Sequence, residues 1–276
     1  MPYNYETLQV SFAAEGVLSV KLNRPKKLNA MNSQFWDDMT SCFQQASQDG
    51  NVRCIVLSAN GRAFSAGLDL VAFQEPGVVP SGTADPARRA LRFFQDTKRL
   101  QNAISAVEKC WKPTIVAIHG MCIGGGVDLI TACDIRFCSS DATFCVKEAA
   151  IGLAADIGTL QRLPKIIGNE SLVRELAFTA RNMGSEEAAS CGLVSYVGKD
   201  REDLMRHALN TATVISGHSP VGITSTKVNI LYSRDHSVDD GLDFVLAWNA
   251  FALQTEDVKK AVVAGMTKKK AKFSKL

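Results

Sequence analysis

An α/β fold is predicted by three features of the chain. Short apolar, β-branched runs recur along its first two hundred residues, helical periodicities lie between them, and after about residue 201 only helical patterns remain. The runs at 17–22 (VLSVKL), 54–58 (CIVLS), 114–118 (TIVAI), 135–138 (IRFC) and 143–146 (TFCV) are too short for helices and rich in Val, Ile, Thr and Phe, which makes them strands. Between them, 33–48 and 88–109 are predicted helices. The segment 74–86 concentrates Pro, Gly, Ser and Thr and is expected to be a loop beside the substrate entrance. Beyond it the predicted helices are 203–216, 220–233 and 238–253, and no internal repeat or low-complexity block interrupts the chain.

A chain of 276 residues, 46% hydrophobic and 21% charged, is long enough for one large core with a smaller helical appendage. No window approaches 18 uninterrupted apolar residues, so no membrane span is expected, and MPYNYETLQV lacks the basic and apolar regions of a secretory signal. The eight cysteines, at 42, 54, 110, 122, 133, 138, 145 and 191, form no C-x-x-C pair and sit mostly in apolar runs, as reduced core residues do. Four histidines, at 119, 207, 218 and 236, lack ligand spacing. No metal is expected, and His119 is expected to be structural.

The chemistry concentrates in GMCIGGGVDLITACDIRFCSSDATFCVKEAAIGLAADIG, where the triplet Gly124, Gly125, Gly126 precedes three acids, Asp128, Glu148 and Asp156. A glycine run that opens a helix presents unblocked N–H groups to an oxygen that gains negative charge. Upstream, the small residues of GRAFSAGLDL (Ser65, Ala66, Gly67) let a turn expose the Leu68 amide. Amides from both segments suit a carbonyl that becomes an oxyanion. The triplet lacks the G-x-G-x-x-G spacing and no P-loop is present, which argues against a dinucleotide or nucleotide site; Ser65 lacks a G-x-S-x-G elbow.

The pair GRAFSAGLDL and HGMCIGGGVDLITACDIRFC, followed by IGLAADIGTLQRLPKIIG, resembles the crotonase (enoyl-CoA hydratase/isomerase) superfamily, and the resemblance runs from VLSVKLNRPKKLNAMN into the helical C-terminal third. It implies a spiral of ββα units over residues 1–200, a helical trimerisation region over 201–267 that builds trimers or hexamers, and stabilisation of the enolate of an acyl-CoA thioester. It also implies an oxyanion hole of the Leu68 and Gly125 amides, and an acyl-CoA site that includes Arg24, Lys27, Ala30, Ala66 and Asp69. Coenzyme A then arrives as part of the substrate, with no separate cofactor.

Hydratases of the superfamily carry glutamates where Asp128 and Glu148 stand and a glycine-rich segment where this chain reads Leu153, Ala154, Ala155, Asp156. The three-acid set is instead similar to that of the dienoyl-CoA isomerases, which implies Glu148 as base at C2 of a 3,5-dienoyl-CoA, Asp156 as acid at C6 and Asp128 as the group that orients or tunes them. The alternatives are hydration of a 2-enoyl-CoA, with Asp128 and Glu148 holding water, and a non-catalytic acyl-CoA- or RNA-binding protein on the same scaffold. Taken alone, each acid also has a structural reading: Asp128 in the first turn of a helix, Glu148 as a solvated loop charge, Asp156 as a helix N-cap. Arg24, Lys26 and Lys27 read equally as a charged surface turn, and Trp248, Phe251 and Leu253 as trimer contacts or as packing within the chain.

The last residues, Ser274-Lys275-Leu276, form the tripeptide read by the peroxisomal import receptor. They follow KKKAKF, which is expected to be a solvated basic tail over 268–276. The chain has 31 Lys and Arg against 28 Asp and Glu; without Lys268, Lys269, Lys270, Lys272 and Lys275 the balance is 26 against 28. The body is therefore near neutral, and no nucleic-acid partner is implied.

Overall fold

The structure, a computed structural model, describes residues 3–69 and 85–276; most of the expected loop 74–86 lies outside the described residues. The main sheet has six strands: β1 (Leu8–Ala14), β2 (Val17–Leu22), β3 (Cys54–Ala59), β4 (Thr114–Ile118), β6 (Ile135–Ser139) and β9 (Tyr196–Gly198), paired in that order. Only the β1–β2 pair is antiparallel. The second sheet holds β5 (Met121–Ile123), β7 (Thr143–Cys145) and β8 (Met183–Gly184).

Both faces of the main sheet are covered, which is why its central strands read as continuous apolar runs. On one face Val17, Cys54, Val56, Ile115 and Phe137 pack under Leu204, Ala208 and Ala212 of α7 (Arg201–Ser216). On the other, Leu18, Val20, Leu22, Ile55, Leu57, Val116 and Ile118 meet Phe35, Met39 and Phe43 of α1 (Ser33–Gln48) and Ala103, Ile104 and Val107 of α2 (Pro86–Lys109). The expected strands and helices are in place with small changes at their ends. β1 escapes the sequence pattern because, at the edge, it buries only Leu8 fully.

The chain leaves the main sheet after each central strand and adds a rung to a second layer. After β3, Phe64 N–H donates to the His119 carbonyl at 2.9 Å and Ser65 N–H to that of Met121 at 3.0 Å, so residues 63–67 run beside β5. β4 turns into β5 at Gly120, whose φ of +57° and contact with the Arg62 carbonyl leave no room for a side chain. β6 turns into β7 through Ser140, Asp141 and Ala142, where the Ala142 N–H donates to the Ser139 carbonyl at 3.0 Å. This repetition is the spiral that the resemblance implies.

After β7 come α4 (Thr159–Ile167), α5 (Glu170–Thr179) and α6 (Ser185–Ser190), and after α7 come α8 (Pro220–Ser233), α9 (Val238–Ala252) and α10 (Glu256–Thr267). The first helix of the expected trimerisation region, α7, thus packs on the sheet of its own chain. In α8, the buried Lys227 donates to the Lys112 carbonyl at 3.2 Å and pairs with Asp134 at 2.8 Å, while Asp134 also accepts the Thr114 N–H at 2.7 Å. Phe244 of α9 stacks on Tyr232 of α8 at 3.9 Å, and Trp248 Nε1 donates to Ser225 at 2.9 Å. Trp248 therefore packs within the chain, whereas Phe251 and Leu253 are exposed. The basic tail folds back: Arg53 donates to the Phe273 carbonyl at 2.7 Å and Lys275 to Asn51 at 2.6 Å, with Ser274, Lys275 and Leu276 still exposed.

Lys227→Ala, which leaves Asp134 without its buried cation, should destabilise the fold by about 3 kcal/mol. Calorimetric unfolding checks this; an unchanged melting temperature would show that α8 does not depend on the pair.

Candidate active site

The site forms where the second layer meets α3 (Gly125–Thr131), the helix that the glycine triplet opens. Met31 pairs in parallel with Leu68: Met31 N–H donates to the Gly67 carbonyl at 2.8 Å, and Asp69 N–H donates to the Met31 carbonyl at 3.0 Å. In such a bridge the residue between the two partners turns its own N–H the other way, so the Leu68 amide faces away from Met31. Gly67, at φ +85°, lies against the opening of α3, and a Cβ there would fall 2.8 Å from the Ile123 carbonyl and 3.5 Å from the Gly125 nitrogen. The two predicted amide segments are thereby brought into contact. Ser65 is fully buried; its hydroxyl donates to the Asn29 carbonyl at 2.9 Å and accepts the Gly67 N–H at 3.1 Å, so it shapes the turn.

Asp128, on the first turn of α3, is wholly buried, and its Oδ1 accepts the Thr159 N–H at 2.6 Å. Glu148 opens a 3₁₀ turn, Glu148–Ile151, just after β7. It is only 6% exposed, with Oε1 so close to Gly124 that a Cβ there would sit 3.1 Å from it. This burial removes the solvated-loop reading of Glu148. Asp156 precedes α4, but the N-cap is Gly158, which removes its capping reading. Asp128 Oδ2, Glu148 Oε2 and Thr159 Oγ1 are buried without a hydrogen-bond partner, three of the five such side-chain atoms among the described residues. Buried polar atoms left unpaired are costly, and their concentration here marks a site built for something other than stability.

The three acids share one electrostatic field. Burial, then the neighbouring Glu148 and Asp156, push the Asp128 carboxyl up to about 7 against the pull of the Thr159 amide. Burial also raises Glu148 above the ordinary carboxylate range, and Asp156 adds to it. Asp156 is exposed on its open side, and its partial burial raises it as well. All three acids are thus held above their usual range, and Asp128 titrates closest to neutral pH, at about 7.

Among the predicted acyl-CoA residues, Ala30, Ala66 and Asp69 lie around the Leu68 segment, where Ala66 N–H donates to the Leu28 carbonyl at 3.0 Å. Arg24 is engaged there too, with the Ala30 carbonyl and, at 3.1 Å, with Asp69. It clamps the segment, and Lys26 and Lys27 are the exposed cations of the turn. His119 is buried, its Nε2 2.9 Å from the Gly61 carbonyl, and burial lowers its pKa; it is structural.

Sequence reasoning missed the groups that hold these parts. Asn29, at φ +53°, donates to the Asn60 and Ala63 carbonyls at 2.8 and 2.9 Å and accepts the Arg24 N–H at 2.9 Å, joining the basic turn to the Leu68 segment. Arg162 of α4 pairs with Glu108 of α2 at 3.0 Å, and Glu108 also takes Arg234 at 2.6 Å. Burial opposes the charge on Glu108, but the two guanidiniums hold its carboxyl below the usual range. No local motif marks these residues, since, apart from the Arg24 amide bound by Asn29, their partners lie tens of residues away.

Residues 13–275 match the enoyl-CoA hydratase/isomerase family. The chain is 51% identical to the mitochondrial Delta(3,5)-Delta(2,4)-dienoyl-CoA isomerase of Rattus norvegicus, over 99% of this chain and 84% of that protein. It is 42% identical to the peroxisomal enzyme of the same name from Arabidopsis thaliana, over 99% of both chains. A probable enoyl-CoA hydratase of Bacillus subtilis is more distant, at 30% over 96% of this chain and 98% of that one. In fold, the chain matches the crystal structure of an enoyl-CoA hydratase from Bacillus anthracis with a TM-score of 0.87 at 24% identity, covering 98% and 99% of the two chains. With nearly its whole length matched and the spiral in place, this chain belongs to the enoyl-CoA hydratase/isomerase family.

Proposed function

We propose that the protein isomerises 3,5-dienoyl-CoA to 2,4-dienoyl-CoA. The observation that carries this reading is the third acid, Asp156, set beside the buried pair Asp128 and Glu148 with all three raised above their usual range. Relatives named for this reaction, at 36–52% identity, support it. Hydration needs only two carboxyl groups around a water, which leaves Asp156 without a task.

In the proposed cycle the thioester carbonyl lies against the Leu68 and Gly125 amides, each worth about 3 kcal/mol to the developing oxyanion. Glu148, as carboxylate, takes a C2 proton. The electron pair of that C–H bond spreads over the carbonyl and both double bonds as a trienolate. Asp156, as carboxylic acid, gives its proton to C6, and the double bonds settle at C2 and C4. Each step moves one proton, and the isomers are at the same oxidation level, so no redox cofactor is required. Turnover leaves Glu148 protonated and Asp156 ionised, and proton exchange restores the starting form. Asp128 orients Thr159 and keeps negative charge from accumulating beside Glu148. On this reading the exposed Lys27, with its neighbour Lys26, meets the CoA phosphates.

We also assign the finer features of assembly and location. Leu242, Leu246, Phe251, Val262, Val263 and Met266 of α9 and α10 are exposed, an apolar surface suited to further copies of the chain in a trimer or hexamer. The terminal Ser274-Lys275-Leu276 suits the peroxisomal import receptor, and the Arabidopsis relative is named as peroxisomal, although the mammalian relatives are named as mitochondrial. Sedimentation of the full chain at three or six chain masses, and its peroxisomal fluorescence when tagged at the N-terminus, lost with the last three residues, are the expected results. A monomer, or a mitochondrial signal in both forms, would overturn these assignments.

Glu148→Gln and Asp156→Asn should each lower kcat by about a hundred- to ten-thousandfold while CoA binding changes little. The appearance of ultraviolet absorption from the thioester-conjugated diene measures this, with 2-enoyl-CoA hydration followed beside it. Brisk hydration without isomerisation would favour the hydratase reading.

Asp128→Asn tests the buried carboxyl through stability. Its pKa is raised on folding from 3.8 to about 7, so the stability tied to its proton is present below pH 4 and lost as pH rises through 7. The variant, whose amide oxygen still accepts from Thr159, should exceed the wild type by on the order of 4 kcal/mol at pH 8, and the gap should close toward pH 4. Denaturation across pH checks it, and a gap that ignores pH would refute it.

A further inference from the structure

The segment that carries Asp156 is tied at three points to one stripe of α2. Gln101 Nε2 donates to the Asp156 carbonyl at 2.8 Å. Four and seven residues further along the helix stand Ser105 and Glu108, which therefore share the face of Gln101. Ser105 accepts from Arg162 Nη2 at 3.1 Å, and Glu108 takes Arg162 Nε and Nη2 at 3.1 and 3.0 Å in a bidentate pair. The neighbouring face of α2, through Ala103, Ile104 and Val107, is locked in the core, so the stripe is a rigid support.

The loop is shaped to meet that support. Gly158 has φ +143°, and a Cβ there would overlap the Arg162 guanidinium, which lies across the backbone between Asp156 and α4. On the opposite side the Thr159 N–H is held by Asp128. The Asp156 carbonyl is thus held by α2 and the Thr159 amide three residues on by α3, while the Asp156 side chain makes none of these contacts.

We propose that the stripe Gln101–Ser105–Glu108 is the positioning element that sets the reach of Asp156 to C6 of the bound chain. This rests on the reading of Asp156 as proton donor given above. Gln101 touches no reacting atom and acts through the Asp156 main chain. A misplacement of about 1 Å in a reacting group costs about a hundredfold in rate, so one hydrogen bond on the carbonyl is enough to matter.

The test separates the two proton transfers. Gln101 is only partly buried, so Gln101→Leu removes the donor without disturbing the core, and its melting temperature reports folding. With 3,5-dienoyl-CoA in D2O, two rates are measured: diene formation, and deuterium uptake at C2 of unreacted substrate. The expected result is a fall in kcat of about 10- to 100-fold with KM within about threefold. Deuterium uptake per turnover should rise, because the trienolate formed by Glu148 is reprotonated at C2 more often than at C6. Glu108→Gln should move both quantities in the same direction through Arg162. Wild-type turnover in Gln101→Leu, or C2 exchange that falls in step with turnover, would overturn the proposal. Asp156→Asn run beside it separates the failures: if that variant is inactive while Gln101→Leu is normal, only the stripe's role is lost. If Asp156→Asn itself turns over normally, the donor reading falls and the stripe's role falls with it.

Discussion

The close approach of two backbones at Gly67 is the constraint on which the site depends. Its missing side chain lets residues 65–68 lie against Ile123 and Gly125, and no other residue fits at that distance and backbone angle. Much of the surrounding structure serves this contact. Ser65 caps the turn, Asn29 ties it to the basic turn at Pro25–Lys27, Arg24 clamps Asp69 on its far side, and the main sheet delivers 63–67 and β5 side by side. None of these residues carries a reacting proton, yet each fixes where the Leu68 amide stands.

Against this rigid frame the acids are held at a cost. A buried carboxyl without a cation loses its hydration and recovers only part of it through backbone N–H groups, and Asp128 and Glu148 are held under those terms. The fold has cations available. Arg162, Lys227 and Arg24 are all partly or wholly buried, but each pairs with an acid outside the set Asp128, Glu148 and Asp156: Glu108, Asp134 and Asp69. In the proposed cycle this separation matters for both carboxyls, because a guanidinium beside either would pull its pKa down, weakening Glu148 as a base and Asp156 as an acid.

What the sequence made legible follows from how far each signal reaches. β2 and β4 and helices α1 and α8 end where their patterns end, because burial on both faces or a continuous periodicity is written in adjacent residues. β1 went unread because an edge strand with one fully buried residue has no such run, and β5, β8 and β9 are too short to carry a period. The acids were identifiable through the glycine triplet and the family resemblance, but whether Glu148 was solvated or buried depended on β7 delivering it under Gly124. Gln101, Glu108 and Asn29 were invisible as site residues, since their meaning lies in partners 31 to 126 residues away.

The unequal exposure of the acids gives the proposed cycle a memory. When product leaves, the free protein has its proton on the wrong carboxyl and is primed for the reverse reaction. Asp156, on the open side, can refill from solvent at once, whereas Glu148, at 6% exposure, must discharge through a nearly closed wall. The two halves of the reset in the proposed cycle therefore have unequal access to solvent, and the buried acid, which has to give up a proton, has the less direct route.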